Sequence, residues 1–401
     1  MNELAIEKHR ALKEKAILTR VYGHFSKMGY VHDPGTGLIA PRHSKDQIRL
    51  LHGIQKDHLL GGNSKFISVN LPKLLPYFAS GEDIDPLKIS PRLELVKSHT
   101  WQASLFKMAS LTWSVPVSRG YGRRMRFLVW DQHNEKLIGI FALGDPVFNL
   151  AVRDEYIGWS GQERKHRLVN IMDAFVLGSV PPYNILLGGK LVGCLPRSLE
   201  VYQEFNRKYN HSTGILSKEN KKANLIAVTT SSSLGRSSIY NRLKLDSDHY
   251  FKSLGYTRGW GHFHIPDPIF FELRSYLREL GHSYADSHSF EDGSNWRLRN
   301  IRAAFSKLGI TDDLLRHGVR REVFISELAT NAISILKDGA DAPPDIRKLR
   351  NISEIGQLAL ERWIIPRSRT RDDYKSWTLS DLAALFFREP LRNTEVFLNA
   401  A

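Results

Sequence analysis

The chain has 401 residues, of which 42% are hydrophobic and 10% aromatic, and this composition excludes global disorder. No apolar run approaches the roughly 18 residues that span a bilayer, and the charged N-terminus has no signal-peptide core. With a single cysteine, Cys194, the chain is expected to be cytoplasmic, with no intramolecular disulfide and roughly two or three domains. The formal net charge of +15 predicts a polyanionic partner, most commonly nucleic acid. The alternative is a basic face that docks another protein.

The N-terminal part, residues 1–80, is predicted to be a helical region. Apolar residues recur there at spacings of three and four, which is typical of amphipathic helices. The predicted segments are, in chain order, a helix over 1–30, a turn over 32–37, a helix over 44–60 with Ser44 as its N-cap, and a domain boundary over 80–91.

Residues 93–267 are predicted to form an α/β core around a mixed sheet. The predicted elements are, in chain order, a strand from Leu93, a helix over 100–111, a hairpin over 124–144, a helix over 163–171, a strand over 172–180, helices over 186–195 and 196–210, a strand over 224–230, a turn over 251–256 and a last strand over 259–265. In the hairpin, Met125, Phe127 and Val129 alternate with other residues, which predicts a buried face.

Residues 268–401 are predicted to be a mainly helical C-terminal region. A helix is expected over 270–280, a polar loop follows it, and the pattern from Trp296 onward is helical. The chain therefore divides into three predicted regions, 1–80, 93–267 and 268–401.

A glycine-opened helix start predicts an anion site at Asn184, Gly188, Gly189 and Lys190. The pattern disfavours a nucleoside-triphosphate P-loop, because Asn184 stands where a glycine is required and Leu191 where Ser or Thr is required. Backbone N–H groups at a helix start carry partial positive charge and can receive a pyrophosphate. The alternative is an ordinary helix start with an exposed lysine.

Clusters of arginines beside aromatic residues predict contacts with nucleic acid, since guanidinium groups bind phosphate and rings stack on unpaired bases. The alternative is that these arginines are simply solvated. The loop over 119–126 is the first choice, because it combines glycines, an aromatic ring and charge. The predicted nucleic-acid-binding residues are Arg119, Tyr121, Arg123, Arg124, Arg126, Arg236, Arg258, Arg297 and Arg299.

Asp154 or Glu155 would bind a metal or act as a base if it converged with Asp145 and Asp173 at a strand end. The alternative for Asp154 is that it pairs with other groups, together with Arg153, and ties a loop to the sheet. No metal and no catalytic residue is assigned from these patterns.

Two histidines, His262 and His264, would share one face of the predicted last strand. Polar residues alternating outward on a strand explain them without a metal, because spacing assigns no third ligand. Cys194 lies in an apolar helix, which indicates a buried thiol rather than a reactive one.

The strand, the Pro-Pro exit, the glycine-opened helix and the late segment 250–256 resemble the acetyl-coenzyme A binding unit of the GNAT acyltransferases. The resemblance implies a strand that splays from its neighbour and a following helix start that cradles the pyrophosphate of the cofactor.

A second resemblance, over 93–266, is to the DruA proteins of Druantia anti-phage defence systems. The matching segments are 125–131, 153–160, 163–170, 182–184 and 254–259, and the Arg-Asp-x-x-Ile-Gly-Trp element that begins at Arg153 is the most specific of them. This resemblance implies a role in defence against phage beside a large helicase-like partner and smaller proteins, and it implies no catalytic residues.

The sequence is therefore interpreted as a component of an anti-phage defence complex that binds nucleic acid or another anionic partner. Its core is expected to be GNAT-like, with an N-terminal helical arm and a helical C-terminal region. The alternative function is an acyltransferase-like enzyme that uses a coenzyme A-type ligand at the helix start 184–190. A homo-oligomer is compatible with the sequence, although no heptad pattern supports one.

Overall fold

A computed structural model describes residues 3–33, 37–39, 44–117, 120, 122–210, 223–262, 264–286, 296–339 and 343–387. They form two compact units. The first unit contains the described residues of 1–51 and 258–320, and the second contains those of 52–257 and 321–390. The predicted boundary over 80–91 lies inside the second unit. Within the described ranges, no helix is long and apolar enough to cross a membrane.

The strands are β1 (Val31–Asp33), β2 (Gly37–Ile39), β3 (Pro91–Leu95), β4 (Arg124–Asp131), β5 (Lys136–Gly144), β6 (Ile171–Ser179), β7 (Ala227–Ser231), β8 (Lys244–Leu245), β9 (Asp248–His249), β10 (Lys252–Tyr256) and β11 (Glu322–Glu327). The α-helices are α1 (Glu3–Lys27), α2 (Lys45–Gly61), α3 (Ser64–Leu74), α4 (Trp101–Leu111), α5 (Ala151–Ile157), α6 (Gly161–Arg167), α7 (Gly188–Cys194), α8 (Leu199–Tyr209), α9 (Asp267–Glu279), α10 (Ser283–Asp286), α11 (Trp296–Lys307), α12 (Ala332–Asp338), α13 (Ile352–Ala359), α14 (Ile365–Thr370) and α15 (Leu379–Ala384).

The second unit is built on a seven-stranded mixed sheet in the order β10-β11-β7-β6-β5-β4-β3, so the predicted α/β class is confirmed. Strand β6 lies at the centre, as expected. It runs parallel to β7, whereas the other neighbouring strands of this sheet are antiparallel. The parallel pairing extends over three residue pairs and ends at Asp173 opposite Thr229, although β6 continues to Ser179.

Both faces of the sheet are buried. Met125, Phe127 and Val129 of β4 pack into a core that includes residues of α7, α8 and α13, as the predicted buried face requires. Leu128 and Trp130, on the other face, pack with α3 and α4. Helices cover both sides of the hairpin, so the alternation in its sequence marks one of two buried faces.

The first unit packs α1 against α9 and α11 around Phe25, Leu273 and Phe305. The predicted N-terminal helix is confirmed. At the start of α2, the backbone N–H of Gln47 donates to the Ser44 hydroxyl at 3.2 Å, so Ser44 is the N-cap that its position predicted.

Three predictions about the later part of the chain were wrong. Residues 322–327 form β11, a strand in the middle of the main sheet, where a helical region was expected. Its central residues, Val323, Phe324 and Ile325, are all buried, and a strand covered on both faces has no alternation to reveal it. The segment 251–256, expected to be a turn, contains β10. The described residues of 259–265 form bends and a turn with one isolated bridge, at Trp260, instead of a last strand.

Candidate nucleic-acid interface

A groove in the second unit lies where the end of β3 and its following turn meet the start of β4 and the end of α8. We call it the basic groove. The residues that line it are Leu95, Val96, Lys97, Ser98, Arg124, Arg126, Arg207 and Lys208. Five of these described residues are cationic and none is acidic.

Hydrogen bonds to backbone carbonyls of β4 hold the walls of the basic groove together. The N–H of Val96 donates to the carbonyl oxygen of Arg126 at 2.8 Å, which carries the pairing of β3 and β4 past the last strand residue. Because side chains alternate along a strand, Arg124 and Arg126 share one face. The end of α8 is attached to the same strand, since the Lys208 Nζ and the Tyr209 hydroxyl each donate to the carbonyl oxygen of Arg124 at 3.0 Å.

The electrostatics of the basic groove favour an anion. The Arg126 guanidinium lies 5.8 Å from the centroid of the Phe106 ring. Burial lowers the pKa of Arg126, and the positive charge of Arg124 lowers it further. Both causes make the charged form more costly than in water, and a bound anion would offset that cost. Arg207 also donates to Glu204 at 3.0 Å, a contact between neighbours on an exposed helix surface.

The structure places the described arginines of the predicted loop over 119–126 in two different environments. Arg124 and Arg126 line the basic groove. Arg123 instead turns inward with a side chain only 16% exposed, donating to the Asp145 carboxylate at 2.8 Å and to the carbonyl oxygen of Val169 at 2.8 Å. Its guanidinium therefore ties the strand start to the protein interior. Arg119 and Tyr121 lie outside the described residues.

The other predicted arginines are spread over both units. Arg236 is exposed after the end of β7 in the second unit, and Arg258 is exposed in the first unit. Arg299 is half-buried on α11. Arg297, on the same helix, donates to Asp267 at 2.6 Å and also bonds a backbone carbonyl, so it holds α11 to the start of α9. The structure does not bring these four arginines into the basic groove.

Three cations of the basic groove were missed from the sequence: Lys97, Arg207 and Lys208. Lys97 stands alone in its segment, and the other two form a short basic pair in the last turn of α8. That pair is a common feature of a helix end, where cations interact favourably with the helix dipole. Only the tertiary fold shows that these residues meet Arg124.

The predicted anion site at the helix start differs from expectation in its backbone. The N–H of Gly188 already donates to the carbonyl oxygen of Tyr183, and that of Lys190 donates to Leu187, each at 2.8 Å. Two of the N–H groups that the predicted anion site would offer are therefore already bonded within the protein. Gly189 is half-buried and Asn184 is exposed.

Side chains supply positive charge at the same helix start. We call Lys190, Arg242, Arg362 and Arg367 the Lys190 cluster. Burial lowers the pKa of Lys190, and the charges of the three arginines lower it further. The Lys190 Nζ lies over the Trp363 ring, 5.2 Å from its centroid, where the ring attracts the cation. This cluster was not predicted from the sequence, because its arginines come from two later segments of the chain.

The three acidic residues considered as metal ligands each have their own partner. Asp145 pairs with Arg123, and Asp154 pairs with Arg153 and Arg164. Asp173 accepts a hydrogen bond from Thr229 at 2.8 Å, and burial raises the pKa of Asp173 to about 6. Among the described residues, no group of three or more His, Cys, Asp or Glu is arranged to hold a metal ion.

Local contacts or burial also account for the two histidines and the cysteine. The Nε2 of His264 lies 2.7 Å from the carbonyl oxygen of Leu314, inside the first unit. The expectation of a strand with both histidines on one face was wrong. Burial lowers the pKa of His262 to about 4, so that imidazole is neutral near pH 7. Cys194 is fully buried, and burial raises the pKa of its thiol.

Comparison with known proteins shows the family. A model of the family described as the Druantia protein DruA matches residues 42–338, which extends past both ends of the predicted resemblance. The Druantia protein DruA of Escherichia coli (strain UMEA 4076-1) is 52% identical over 381 residues, which cover 95% of this chain and 94% of that protein. No solved structure matches the chain. The family match and the identity over nearly the whole length show that this chain belongs to the DruA family.

Proposed function

We propose that this DruA-family chain is a cytoplasmic component of a bacterial anti-phage defence system, in which it binds nucleic acid through the basic groove. Membership of the family implies the defence role. A large helicase-like protein and smaller defence proteins are the partners that the resemblance implies. The observation that supports nucleic acid is the convergence of five cations, from three elements, on one groove without an acidic lining residue.

The basic groove is suited to phosphate rather than to base edges. Arginine and lysine bind phosphate oxygens by charge-assisted hydrogen bonds, and such contacts position a protein on nucleic acid without reading its sequence. None of the described residues that line the groove is an asparagine or a glutamine, whose amide groups bind adenine edges in a bidentate manner. Binding is therefore expected to be independent of sequence and strongly dependent on salt.

The test is fluorescence anisotropy of labelled single-stranded DNA, duplex DNA and RNA over a series of salt concentrations. The logarithm of the binding constant is expected to fall linearly with the logarithm of salt concentration, with a slope of about −0.9 per phosphate contact on duplex DNA. The double variant Lys97→Glu/Arg124→Glu is expected to bind much more weakly and with a shallower slope, about one contact less per removed cation.

A matched control is the double variant Lys348→Glu/Lys375→Glu. All four residues are exposed in the second unit, and both double variants change the net charge equally. The proposal requires the control to bind nearly as the unchanged protein does. Equal losses of affinity in both double variants would show that net charge, and not the groove, determines binding. Absence of nucleic-acid binding at low salt would indicate that the groove serves an anionic protein.

A second candidate function is an acyltransferase-like enzyme with a GNAT-like core that binds a coenzyme A-type ligand at the helix start 184–190. The pairing of β6 and β7 ends after three residue pairs, and β6 then leads to α7, which fits the splayed strand that the resemblance implies. The Lys190 cluster would hold the pyrophosphate by its side chains, since two of the backbone N–H groups there are already bonded.

Thermal unfolding with added coenzyme A tests this second candidate. A ligand at 100 times its dissociation constant stabilises the folded state by about 2.7 kcal/mol. The shift is expected to disappear in Arg242→Glu, whose side chain is exposed, and to persist in Lys97→Glu/Arg124→Glu. A protein that shows no shift at millimolar coenzyme A would rule this function out.

A further inference from the structure

An exposed aromatic stack is built on the same strand, β4, and the same connecting segment as the basic groove. The Trp101 ring stacks on Tyr77, with ring centroids 4.6 Å apart and an interplanar angle of 20°. Trp130, which is buried, contacts both rings from the sheet, at 6.3 Å from Trp101 and 5.9 Å from Tyr77. Trp101 is nevertheless 44% exposed. A large ring is thus held in a fixed orientation with much of its surface open to solvent.

The same chain segment joins this stack to the basic groove. Lys97 and Ser98 line the groove, and Trp101 begins α4 three residues after Ser98. The Thr100 hydroxyl donates to the carbonyl oxygen of Lys97 at 2.8 Å, which fixes the turn between them. Arg126 of the groove lies over Phe106 on the same helix, five residues beyond Trp101, a rise of about 7.5 Å along the helix axis.

We propose that the basic groove and the Trp101 stack form one binding site for single-stranded nucleic acid, in which the groove holds the backbone and Trp101 stacks on an unpaired base. This inference rests on the proposed nucleic-acid function and specifies its substrate class. The five cations contact successive phosphates of the strand, and the Trp101 ring stacks on a base of any type.

A single strand fits this arrangement because its bases are free to leave their neighbours. In a duplex, both faces of each base are covered by adjacent pairs, so an exposed tryptophan beside the backbone has nothing to stack on. Tyr77 and Trp130 support the opposite side of the ring, so the stacking surface is already ordered before binding and loses little conformational entropy.

The test compares binding of Trp101→Ala to a single-stranded DNA and to a duplex of the same length, at one salt concentration, by fluorescence anisotropy. Stacking of one base on an aromatic side chain contributes about 1–3 kcal/mol, so single-strand affinity is expected to fall by about 5- to 150-fold. Duplex affinity is expected to stay within about twofold, and Trp101→Tyr is expected to recover most of the single-strand affinity.

The matched control is Trp260→Ala, because Trp260 is also 44% exposed but belongs to the first unit. Its single-strand affinity is expected to be unchanged. Thermal unfolding of Trp101→Ala checks that the variant keeps its fold. A misfolded variant would lose affinity for both single strand and duplex, and the test would then rest on the affinities of Trp101→Tyr.

The outcomes separate this inference from the proposed function. Equal losses on single strand and duplex in a Trp101→Ala protein that keeps its fold, or no loss on either, would overturn the single-strand site while leaving nucleic-acid binding by the basic groove intact. Absence of binding to any nucleic acid by the unchanged protein would overturn both.

Discussion

Replacing Arg153 by leucine is expected to destabilise the second unit, and this prediction tests what the Arg-Asp-x-x-Ile-Gly-Trp element does. The Arg153 side chain is fully buried. It donates to the Asp154 carboxylate at 2.7 and 2.9 Å and to the carbonyl oxygens of Val147 and Phe148 at 2.8 and 2.9 Å. Its guanidinium also lies 5.6 Å from the centroid of the Trp159 ring. These contacts tie the element to the preceding loop through one buried cation, and we call this set of contacts the Arg153 clamp.

The expected cost comes mainly from Asp154. Removing one partner of a buried ion pair costs about 3–5 kcal/mol, because the other charge remains buried. Arg164 still contacts the second carboxylate oxygen at 2.7 Å, so Asp154 keeps one cationic partner. The expected loss therefore lies near the lower limit, about 3 kcal/mol.

Urea unfolding of Arg153→Leu measures this loss, and Arg153→Lys is the comparison. Lysine keeps the positive charge beside Asp154 but cannot reach all three acceptors with a planar fork, so it is expected to lose less. Stability within about 0.5 kcal/mol of the unchanged protein, which is the usual range for surface substitutions, would refute the clamp. Loss of nucleic-acid binding without loss of stability would show that the element acts in function instead.

Two further predictions concern the room for a side chain at two glycines and the pH dependence of stability. Gly188→Ala is expected to lower the unfolding temperature, because a Cβ there would lie 2.7 Å from the carbonyl oxygen of Tyr183. Gly189→Ala is expected to be tolerated, because its Cβ would lie 3.4 Å from the Ser179 hydroxyl; equal effects of the two variants would contradict this. Burial raises the pKa of Asp173 to about 6, above the value of about 4 in an unfolded chain, so folding favours the protonated carboxyl. The protonated carboxyl therefore contributes stability at low pH, and this contribution is lost as the pH rises from about 4 to about 6. Unfolding of Asp173→Asn is expected to depend less on pH over that window, and a slope equal to that of the unchanged protein would contradict the assignment.

The sequence predicted the core elements where local patterns are strong. The hairpin over 124–144, the central strand and the helix capped by Ser44 all formed as predicted, because strand alternation and capping chemistry act between near neighbours. Strand β11 was missed because its order in the sheet, between β10 and β7, depends on pairing with residues about 70 or more positions away. Its sequence contains only a continuous apolar run, which does not distinguish a buried strand from a buried helix.

The candidate site shows the same limit at the level of single residues. Arg123 and Arg124 are adjacent and carry the same charge, yet one pairs with Asp145 and the other lines the basic groove. Local composition does not separate them, because the partner of Arg123 comes from the far end of the next strand. What the sequence does contain is the spacing of Arg124 and Arg126, two residues apart on a predicted strand and opposite to the buried Met125. Strand periodicity, rather than the density of arginines, is therefore the better guide to which cations of this basic segment line the groove.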